Sequence, residues 1–461
     1  MDTLPLHPAQ AAVLDRLKKL PKGEARGLIQ TLQAQCKARK LYYKADYQPL
    51  GLTPFVLTRE VLPALQAMAR IIFRFQLKAP ALFRANVGGF ANLVRIERRT
   101  AAWFSRYGER DARPWELLVR PDFGLRPGPD GRIIPTLYEF NSCMLGGIYL
   151  HSESLEIVEE EALPALGLSS RRLGIRPSPH LLGFLRAWLL DCRRRAGHSD
   201  DGGIAFLESL PPGGGFSELP NITEYFRSRG HQAAHGDPRT LEVRKGRVFL
   251  RGMPVAYAYR DFSFEDVSGP DNKRMLGFAK LWEEHRVAPT FPSDFDQKGI
   301  LECLSSPAFH RLFSREEVRR LRAHAPWTRV LSERRTESLE GKRVDLVSYV
   351  AKNRERLVIK PSWESGGEGI ILGPMATQAR WEKALQKGLE TPGGWAVQEY
   401  LGLPKVETGY LRGGEIHLKP CRATVGVFHE GSNFAFHARV SPKNIVNVAQ
   451  GGALSAVYLS R

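Results

Sequence analysis

The segment RPDFGLRPGPDGRIIPTLYEFN places acidic and amide side chains on two short apolar runs around a turn. If the chain folds back about Asp130–Gly131, the strongest turn dipeptide of the segment, Asp122 lies opposite Glu139. Asn141 then shares the face of Glu139, and Arg120 shares the face of Asp122, because side chains alternate along a strand. Such oxygen donors suit Mg²⁺ that is also held by phosphates. A surface hairpin with ordinary polar residues is the alternative, and this motif alone does not decide.

A second motif, LVIKPSWESGGEGIILG, joins a lysine to a glycine-rich loop. The apolar run ends at Lys360 as a strand would, and Pro361 keeps the chain extended. Gly366, Gly367 and Gly369 then form a loop whose backbone N–H groups can bind phosphate, while the lysine supplies a point charge. The alternative is a glycine-rich hairpin turn beside a surface lysine.

Two further segments near the end of the chain carry weaker signals. In GGWAVQEYL a buried strand ends in Gln398–Glu399, which is either a hinge whose backbone pairs with an adenine or a strand that leaves the core. In FAFHARVSPKNIVNVAQGG, Arg439 occupies an alternating strand position, where it faces either a phosphate or solvent. Neither segment decides between its two interpretations.

Several common catalytic motifs are absent or lack their context. Asp122-Phe123-Gly124 spells the magnesium-binding triplet of protein kinases, but there is no HRD loop and the candidate lysine comes later, which excludes a kinase. The chain has no GxGxxG fingerprint and no glycine loop that ends in GKS or GKT. CxxC, HExxH and GxSxG are missing too, so the familiar zinc and serine-hydrolase sites are excluded.

The composition is that of a folded protein with a strong basic excess. Across 461 residues, 67 Lys and Arg against 49 Asp and Glu give a net charge of +18. The excess is spread as short arginine clusters without interleaved aromatic residues, so it does not favour a nucleic-acid surface and is compatible with an anionic ligand. Five widely spaced cysteines, no apolar run of about 18 residues and no basic-apolar leader predict a cytoplasmic protein without a membrane span.

The elements that must position these groups change in character along the chain. Apolar residues at three- and four-residue intervals predict helices over residues 1–105, and the hairpin with further helices is predicted over 106–200. A strand–helix–strand unit with its own hairpin follows over 201–295, the pattern of a parallel sheet. Residues 296–461 are predicted to open with helices and to continue as strands and turns.

Taken together, the four motifs resemble the ATP-grasp superfamily, in which a strand ending in Lys-Pro, a glycine loop, a hinge Gln-Glu and a Glu-x-Asn motif occur together. Here Glu139–Asn141 precedes Lys360 instead of following it. That order is similar to the circularly permuted ATP-grasp proteins, the group that includes glutathionylspermidine synthetase. Pro326–Arg329 also resembles a PWTR-like segment of uncharacterised bacterial members. The amidase domain of the bifunctional spermidine enzyme has no counterpart, so the resemblance does not assign a polyamine substrate.

The resemblance implies a fold and a set of residue roles. The fold would be α/β with α+β character: a circularly permuted ATP-grasp core, a Rossmann-like pre-ATP-grasp unit over 201–295 and a helical N-terminal region. The nucleotide-binding lobes would occupy 296–461, with the hairpin region 106–200 completing the core. The cofactors would be ATP and Mg²⁺. The implied residues are catalytic Arg120, Lys360 and Arg439, the nucleotide contacts Lys298, Lys360, Gly366, Gly367, Gly369, Gln398 and Glu399, and the magnesium ligands Asp122, Glu139 and Asn141.

The reaction implied by this resemblance is an ATP-dependent carboxylate–amine ligation. The γ-phosphoryl would move to a carboxylate, and an amine would then displace phosphate from the acyl phosphate, which yields an amide and ADP. The substrates would be a small-molecule or peptide carboxylate and an amine, and the basic charge favours an acidic substrate. The alternatives are a non-catalytic nucleotide-binding protein of this fold and a basic protein that binds nucleic acid or an acidic partner. The sequence predicts no oligomeric state.

This interpretation makes one geometric prediction. The hairpin should lie in the same sheet as the strand FAFHARV, although the two are far apart in sequence. The carboxylates of Asp122 and Glu139 and the amine of Lys360 should line one pocket, and Arg439 should point into it, because all four would serve one Mg·ATP.

Overall fold

The computed structural model describes residues 3–43, 46–108, 113–198, 202–210, 216–363 and 366–461. It contains both helices and strands. The helices are α1 Pro8–Lys19, α2 Lys22–Ala38, α3 Leu62–Arg84, α4 Arg98–Tyr107, α5 Ile148–Ile157, α6 Leu163–Ala165, α7 Leu181–Arg195, α8 Leu219–Ser228, α9 Leu276–Glu283, α10 Leu301–Ser305, α11 Arg315–His324, α12 Leu346–Lys352 and α13 Gln378–Leu389.

The strands belong to two larger sheets, one smaller sheet and two short hairpins. They are β1 Tyr42–Tyr43, β2 Asp46–Tyr47, β3 Leu50–Leu57, β4 Arg120–Pro127, β5 Ile133–Asn141, β6 Ile175–Pro177, β7 Gly203–Leu207, β8 Ala233–Gly236, β9 Glu242–Arg244, β10 Arg247–Leu250, β11 Met253–Arg260, β12 Val287–Ala288, β13 Thr328–Val330, β14 Arg335–Glu337, β15 Arg343–Asp345, β16 Leu357–Pro361, β17 Ile371–Leu372, β18 Trp395–Glu399, β19 Lys405–Arg412, β20 Glu415–His429, β21 Phe434–Ser441 and β22 Ala453–Ser460.

The largest sheet joins strands from both ends of the chain. Its order is β19-β3-β22-β21-β20-β4-β5, with β6 beside β22 and a further pairing between β19 and the long β20. Strand β22 shows how the sheet is buried on both faces. Leu454, Ala456 and Tyr458 pack with helices α1, α2, α5 and α7, whereas Val457 and Leu459 pack with α3. The sheet is thus the centre of the molecule, with a hydrophobic core on each side.

The N-terminal region is not wholly helical, contrary to the sequence expectation. Strand β3 lies between β19 and β22, and all eight of its residues are buried. A strand covered on both faces has a continuous apolar run without alternation, so its period does not distinguish it from a buried helix. The boundary expected at residue 105 therefore does not separate a helical unit from the sheet. The segment VNVAQ was also expected as a strand and instead contains a short 3₁₀ helix, Val448–Gln450.

The predicted hairpin is present with the predicted register at its polar end. Asp122 pairs with Glu139 and Arg120 pairs with Asn141. The register then shifts by one residue, since Phe123 pairs with Leu137. Strand β4 also pairs with β20, which pairs with β21, so the hairpin and FAFHARV lie in the same sheet. This part of the geometric prediction is confirmed.

Two other units flank the large sheet. The strand–helix–strand unit has β7, β8, β11 and β12 in parallel, with α8 as a crossover between β7 and β8 and the predicted hairpin β9–β10 at its edge. The smaller unit has the order β13-β18-β16-β17 and is packed against α12 and α13 through an apolar cluster that includes Trp381 and Trp395. Together the three sheets give a mixed α/β architecture. None of the helices in the described part of the chain is both long and apolar enough to cross a bilayer.

Candidate active site

A cavity of about 960 Å³ lies where the large sheet, the parallel unit and the glycine-rich loop meet. Segments far apart in the chain contribute to its lining. Of the residues singled out from the sequence, those that line it are Arg120, Glu139, Asn141, Lys298, Gly366 and Arg439. The fold therefore brings the hairpin, strand β21, the start of the helical segment near residue 298 and the glycine loop to a single space.

Asp122 lies beneath this cavity and does not line it. It is 2% exposed, and its carboxylate accepts hydrogen bonds from Arg120 Nε and Nη2 at 3.1 Å each and from Arg439 Nη2 at 2.8 Å. Asn141 Nδ2 donates a further hydrogen bond at 3.2 Å. Burial alone would raise the pKa of Asp122, but the two guanidinium groups outweigh it and hold this pKa far below its usual range. In the free protein Asp122 is thus the counter-ion of two arginines.

His437 is a cavity residue that the sequence analysis missed. It is buried beside Asp122, with Nε2 3.6 Å from Asp122 Oδ1, and it lies two positions before Arg439 on the same face of β21. Burial lowers the pKa of His437 to about 3, so the imidazole is neutral. The opposite residue Gly426 leaves the space it fills, because a Cβ there would overlap the ring. The sequence did contain a signal for His437, because the alternation of side chains along FAFHARV that pointed to Arg439 places His437 on the same face.

Glu139 and Lys298 lie side by side on the cavity wall. Lys298 Nζ is 3.8 Å from Glu139 Oε2, and the Glu139 side chain is 29% exposed. Glu139 therefore remains accessible where Asp122 is enclosed, although the two residues are opposite each other in the hairpin. An accessible carboxylate beside an ammonium group can hold a cation and a phosphate together.

Lys360 is buried immediately behind strand β5. Its Nζ donates to Gln398 Oε1 at 2.6 Å and to the Tyr138 carbonyl at 3.2 Å, and Gln398 Nε2 in turn donates to Thr328 Oγ1 at 3.0 Å. Burial lowers the pKa of Lys360 to about 8, while nearby Glu139 opposes this shift. The side chain of Gln398 thus acts as the partner of the lysine, whereas the sequence interpretation concerned the backbone of this strand end.

The prediction that Asp122, Glu139 and Lys360 all line one cavity is therefore wrong for two of these three residues. Asp122 and Lys360 are buried next to the cavity and only Glu139 lines it. Arg439 does line it, as expected. Gln398, Glu399, Gly367 and Gly369 are likewise not among the described lining residues. Asp122 does not line the cavity because its ion pairs hold it between the two arginines. Lys360 does not line it because Gln398 and the Tyr138 carbonyl enclose its ammonium group.

The glycine-rich loop has the backbone that its sequence predicts. Gly366, Gly367 and Gly369 all have positive φ values, of 68°, 79° and 69°. A Cβ at Gly367 would be 2.7 Å from Ile445, so this position also needs glycine for its close approach to the C-terminal loop. Residues 364–365 of this segment lie outside the described residues. Gly366 places this end of the loop at the cavity, where a glycine-rich backbone is suited to phosphate binding.

The cavity has an acidic wall, which the sequence analysis did not foresee. Burial raises the pKa of Asp296 to about 6 and also raises that of Glu218. Brought together with Glu139, the carboxylates around the cavity outnumber its three cations, Arg120, Lys298 and Arg439. The lining carboxylates of this wall are Glu97, Glu218, Glu265, Asp266, Asp294 and Asp296.

A partial signal for the acidic wall was present in the sequence. Acidic residues follow directly on three parallel strands: Glu208 after β7, Asp237 after β8 and Asp261 after β11. Ligands of open parallel sheets bind beyond the carboxyl ends of the strands. Five of the six lining carboxylates come from loops and helix ends in or next to this unit and Glu97 precedes α4, and no sequence motif marks any of them.

Comparisons with known proteins give similarity over part of the chain and over the fold. No family model matches. A Frankia casuarinae protein with the provisional name glutamate–cysteine ligase 2-2 is 31% identical over 120 residues, which cover 24% of this chain and 14% of that protein. An uncharacterised Mycobacterium tuberculosis protein is 35% identical over 101 residues, covering 21% and 18%. The matched part thus spans less than a fifth of these relatives.

A solved structure is similar over nearly the whole chain. It is a glutathione synthetase-like effector from Globodera pallida in its apo form, with a TM-score of 0.62 and 14% identity. The match covers 94% of this chain and 96% of the effector. The two proteins therefore share a fold over nearly the whole of both chains.

Proposed function

We propose that this protein is an ATP-dependent carboxylate–amine ligase that acts through an acyl phosphate and releases ADP and phosphate. The observation that carries the proposal is the meeting of Arg120, Glu139, Lys298, Gly366 and Arg439 around one cavity, from segments that are far apart in the chain. Support also comes from the ligase name of a partial relative and from the glutathione synthetase-like fold.

In this proposal the nucleotide lies between the glycine loop and the hairpin. The loop backbone and Lys298 bind phosphate oxygens, and Lys360 adds a buried positive charge next to them. Gln398 holds Lys360 in place, while the end of strand β18 at Glu399 flanks the base. The described residues contain no cluster of three or more His, Cys, Asp or Glu that could hold a metal ion by themselves. Glu139 and Asn141 on the wall, with Asp122 behind them, nevertheless fit Mg²⁺, which keeps phosphates and waters as most of its ligands.

Arg120 and Arg439 supply the charge that the transferred phosphoryl group needs. Both guanidinium groups are bound to Asp122 in the free protein and both line the cavity. When phosphate oxygens approach, the arginines can exchange a carboxylate partner for a phosphate partner without leaving the wall. Glu139, Asn141 and Asp122 would hold Mg²⁺, which would supply positive charge to offset that of the phosphate oxygens. The enzyme needs no covalent nucleophile for this chemistry.

The acidic wall then indicates the place of the amine. The basic charge of the whole chain had suggested an acidic substrate, but six carboxylates besides Glu139 line the described part of the cavity. A protonated amine is attracted to such carboxylates, and the carboxylate substrate is attracted to the arginines. We therefore propose that the amine binds near the acidic wall, that the carboxylate binds near the arginines, and that the two meet over Glu139 and Asn141.

A screen for ADP release tests this proposal directly. Purified protein with Mg·ATP should release ADP only when an acid and an amine are both present, drawn from amino acids, peptides and polyamines, and mass spectrometry should detect an amide product. The Glu139→Gln variant serves as the negative control in each reaction. ATP binding without ADP formation from any pair would support the non-catalytic alternative, and absence of nucleotide binding would overturn the proposal. Tight, salt-sensitive binding to unrelated duplexes would instead favour the nucleic-acid alternative.

A further inference from the structure

Tyr138 is the extra residue of a β-bulge in the β4–β5 hairpin, which carries the proposed magnesium ligands. Asp122 pairs with Glu139, and the next residue, Phe123, pairs with Leu137. Tyr138 therefore has no partner on β4. A bulge of this kind redirects the side chain of the extra residue and is common next to active sites. Tyr138 is thereby turned away from the regular alternation of the hairpin.

The redirected side chain lies between the lysine strand and the end of the hinge strand. Its hydroxyl donates to the Leu401 carbonyl at 2.7 Å, and Leu401 follows two residues after Glu399. The Lys360 ammonium lies 5.7 Å from the centre of the ring and donates to the Tyr138 carbonyl. Gly124 provides the space, because a Cβ there would overlap both Tyr138 and Leu403.

This position has a direct consequence for the proposed nucleotide site. If Lys360 contacts phosphate and the strand end at Gln398–Glu399 flanks the base, the base must lie close to this strand end. The Tyr138 phenol lies beside this strand end, where it donates to the Leu401 carbonyl. Burial raises the pKa of Tyr138, so the hydroxyl keeps its proton and remains a donor. The backbone carbonyl of the same residue accepts a hydrogen bond from Lys360.

We propose that Tyr138 is a gate of the base site, whose hydroxyl satisfies the Leu401 carbonyl in the free protein until the amino group of a 6-aminopurine replaces it. The inference rests on the proposed function and concerns the same site. A 6-aminopurine offers an N–H donor, as the phenol does, so the exchange leaves the part-buried Leu401 carbonyl paired. A purine without that donor would leave the carbonyl unsatisfied, and the gate thus contributes to base selection.

The Tyr138→Phe variant tests the gate. It removes the hydroxyl that ATP must displace, so its Kd for ATP should fall by about two- to tenfold, the range of one neutral hydrogen bond. The affinity for inorganic tripolyphosphate, which has no base, should not change. Tyr149→Phe is the matched control, because its hydroxyl also donates to a backbone carbonyl, that of Arg39, at 2.7 Å. Calorimetric titration of wild type and both variants gives all the values.

The outcomes separate this inference from the proposed function. A wild-type protein that binds no nucleotide overturns both. A wild type that binds ATP while Tyr138→Phe binds it equally or more weakly overturns the gate alone, since the hydroxyl is then structural or a contact of the bound base. A second measurement applies if the variant does not fold. Wild type should bind ATP more tightly than the triphosphate of unsubstituted purine riboside, and equal affinity for the two would overturn the gate.

Discussion

Asp122 and Glu139 are opposite each other in one hairpin, yet the structure gives them different tasks in the free protein. Asp122 is buried between two arginines, whereas Glu139 is partly exposed beside Lys298. A residue of the first kind contributes to stability before any ligand is bound, and one of the second kind contributes mainly to binding. The two carboxylates can therefore be distinguished by experiment, even if both bind the same metal ion later.

Replacing Glu139 by Gln should abolish most turnover without loss of stability. The amide keeps the size and hydrogen bonding of the side chain but removes the negative charge that a divalent cation requires. We expect turnover at ordinary magnesium concentrations to fall by at least about tenfold, and by more if the charge is a direct ligand. Glu415→Gln, at an exposed position on β20 of the same sheet, is the control. A fully active variant would show that the carboxylate is structural.

Lys360→Met should weaken ATP binding while the protein stays folded. The ammonium is enclosed by Gln398 and the Tyr138 carbonyl, so its charge cannot be replaced by water. The loss of one charge-assisted phosphate contact corresponds to about 10- to 100-fold in Kd. Lys352→Met, at an exposed position of the same small unit, should leave the Kd unchanged. Equal affinity of Lys360→Met and wild type would remove this residue from the nucleotide site.

The pH dependence of ATP binding offers an independent check on Lys360. Its pKa of about 8 in the free protein means that the ammonium loses its proton in mildly basic solution. Phosphate binds the charged form, so the affinity should be constant below this pKa and should decline as the pH rises through it. Titrations on both sides of pH 8 should show this decline in wild type. The same decline in Lys360→Met would assign it to another group.

At the level of elements, the register of the hairpin was predictable and its bulge was not. A turn dipeptide and the two-residue period of strands were sufficient to place Asp122 opposite Glu139. Tyr138 fills a space that exists only because Gly124 and the loop after β18 come together, and no local pattern encodes that contact. Strand β3 was missed because burial on both faces removes the alternation by which strands are recognised. Local periodicity thus predicts pairs within one hairpin but not contacts between distant segments.

The link between β4 and β21 is an ion pair that spans the intervening strand β20. Arg439 of β21 reaches Asp122 of β4, and Arg120 completes the cluster. Asp122→Asn would leave two buried guanidinium groups without their counter-ion. Breaking a buried pair in this way costs about 3–5 kcal/mol. Urea unfolding of the ligand-free protein should show a decrease of this size for Asp122→Asn and little change for Glu139→Gln. Equal effects of the two variants would contradict the division of tasks described above.

At the level of the whole molecule, net charge is a poor guide to the cavity. The chain carries +18, but the described lining of the cavity holds six carboxylates besides Glu139 together with the arginines. Composition sums over all residues and cannot show which of them face inward. The parallel unit supplies most of these carboxylates at its loops, and their position became clear only from the packing of this unit against the large sheet.

The proposed binding places of the two substrates predict that substitutions in the acidic wall and substitutions of the arginines affect different substrates. Glu265→Gln preserves the acceptor for the Thr100 N–H but removes one charge of the acidic wall. Once an amine substrate is known, its KM should rise by about two- to fivefold, the range of an accessible ion pair, and added salt should raise the wild-type KM in the same direction. The KM for ATP should stay constant, because the proposed nucleotide contacts come from the hairpin, Lys298 and the glycine loop and do not include Glu265. Glu242→Gln, on the exposed strand β9 of the same unit, should change neither value. A rise in the KM for the carboxylate substrate instead would reverse the assignment of the walls.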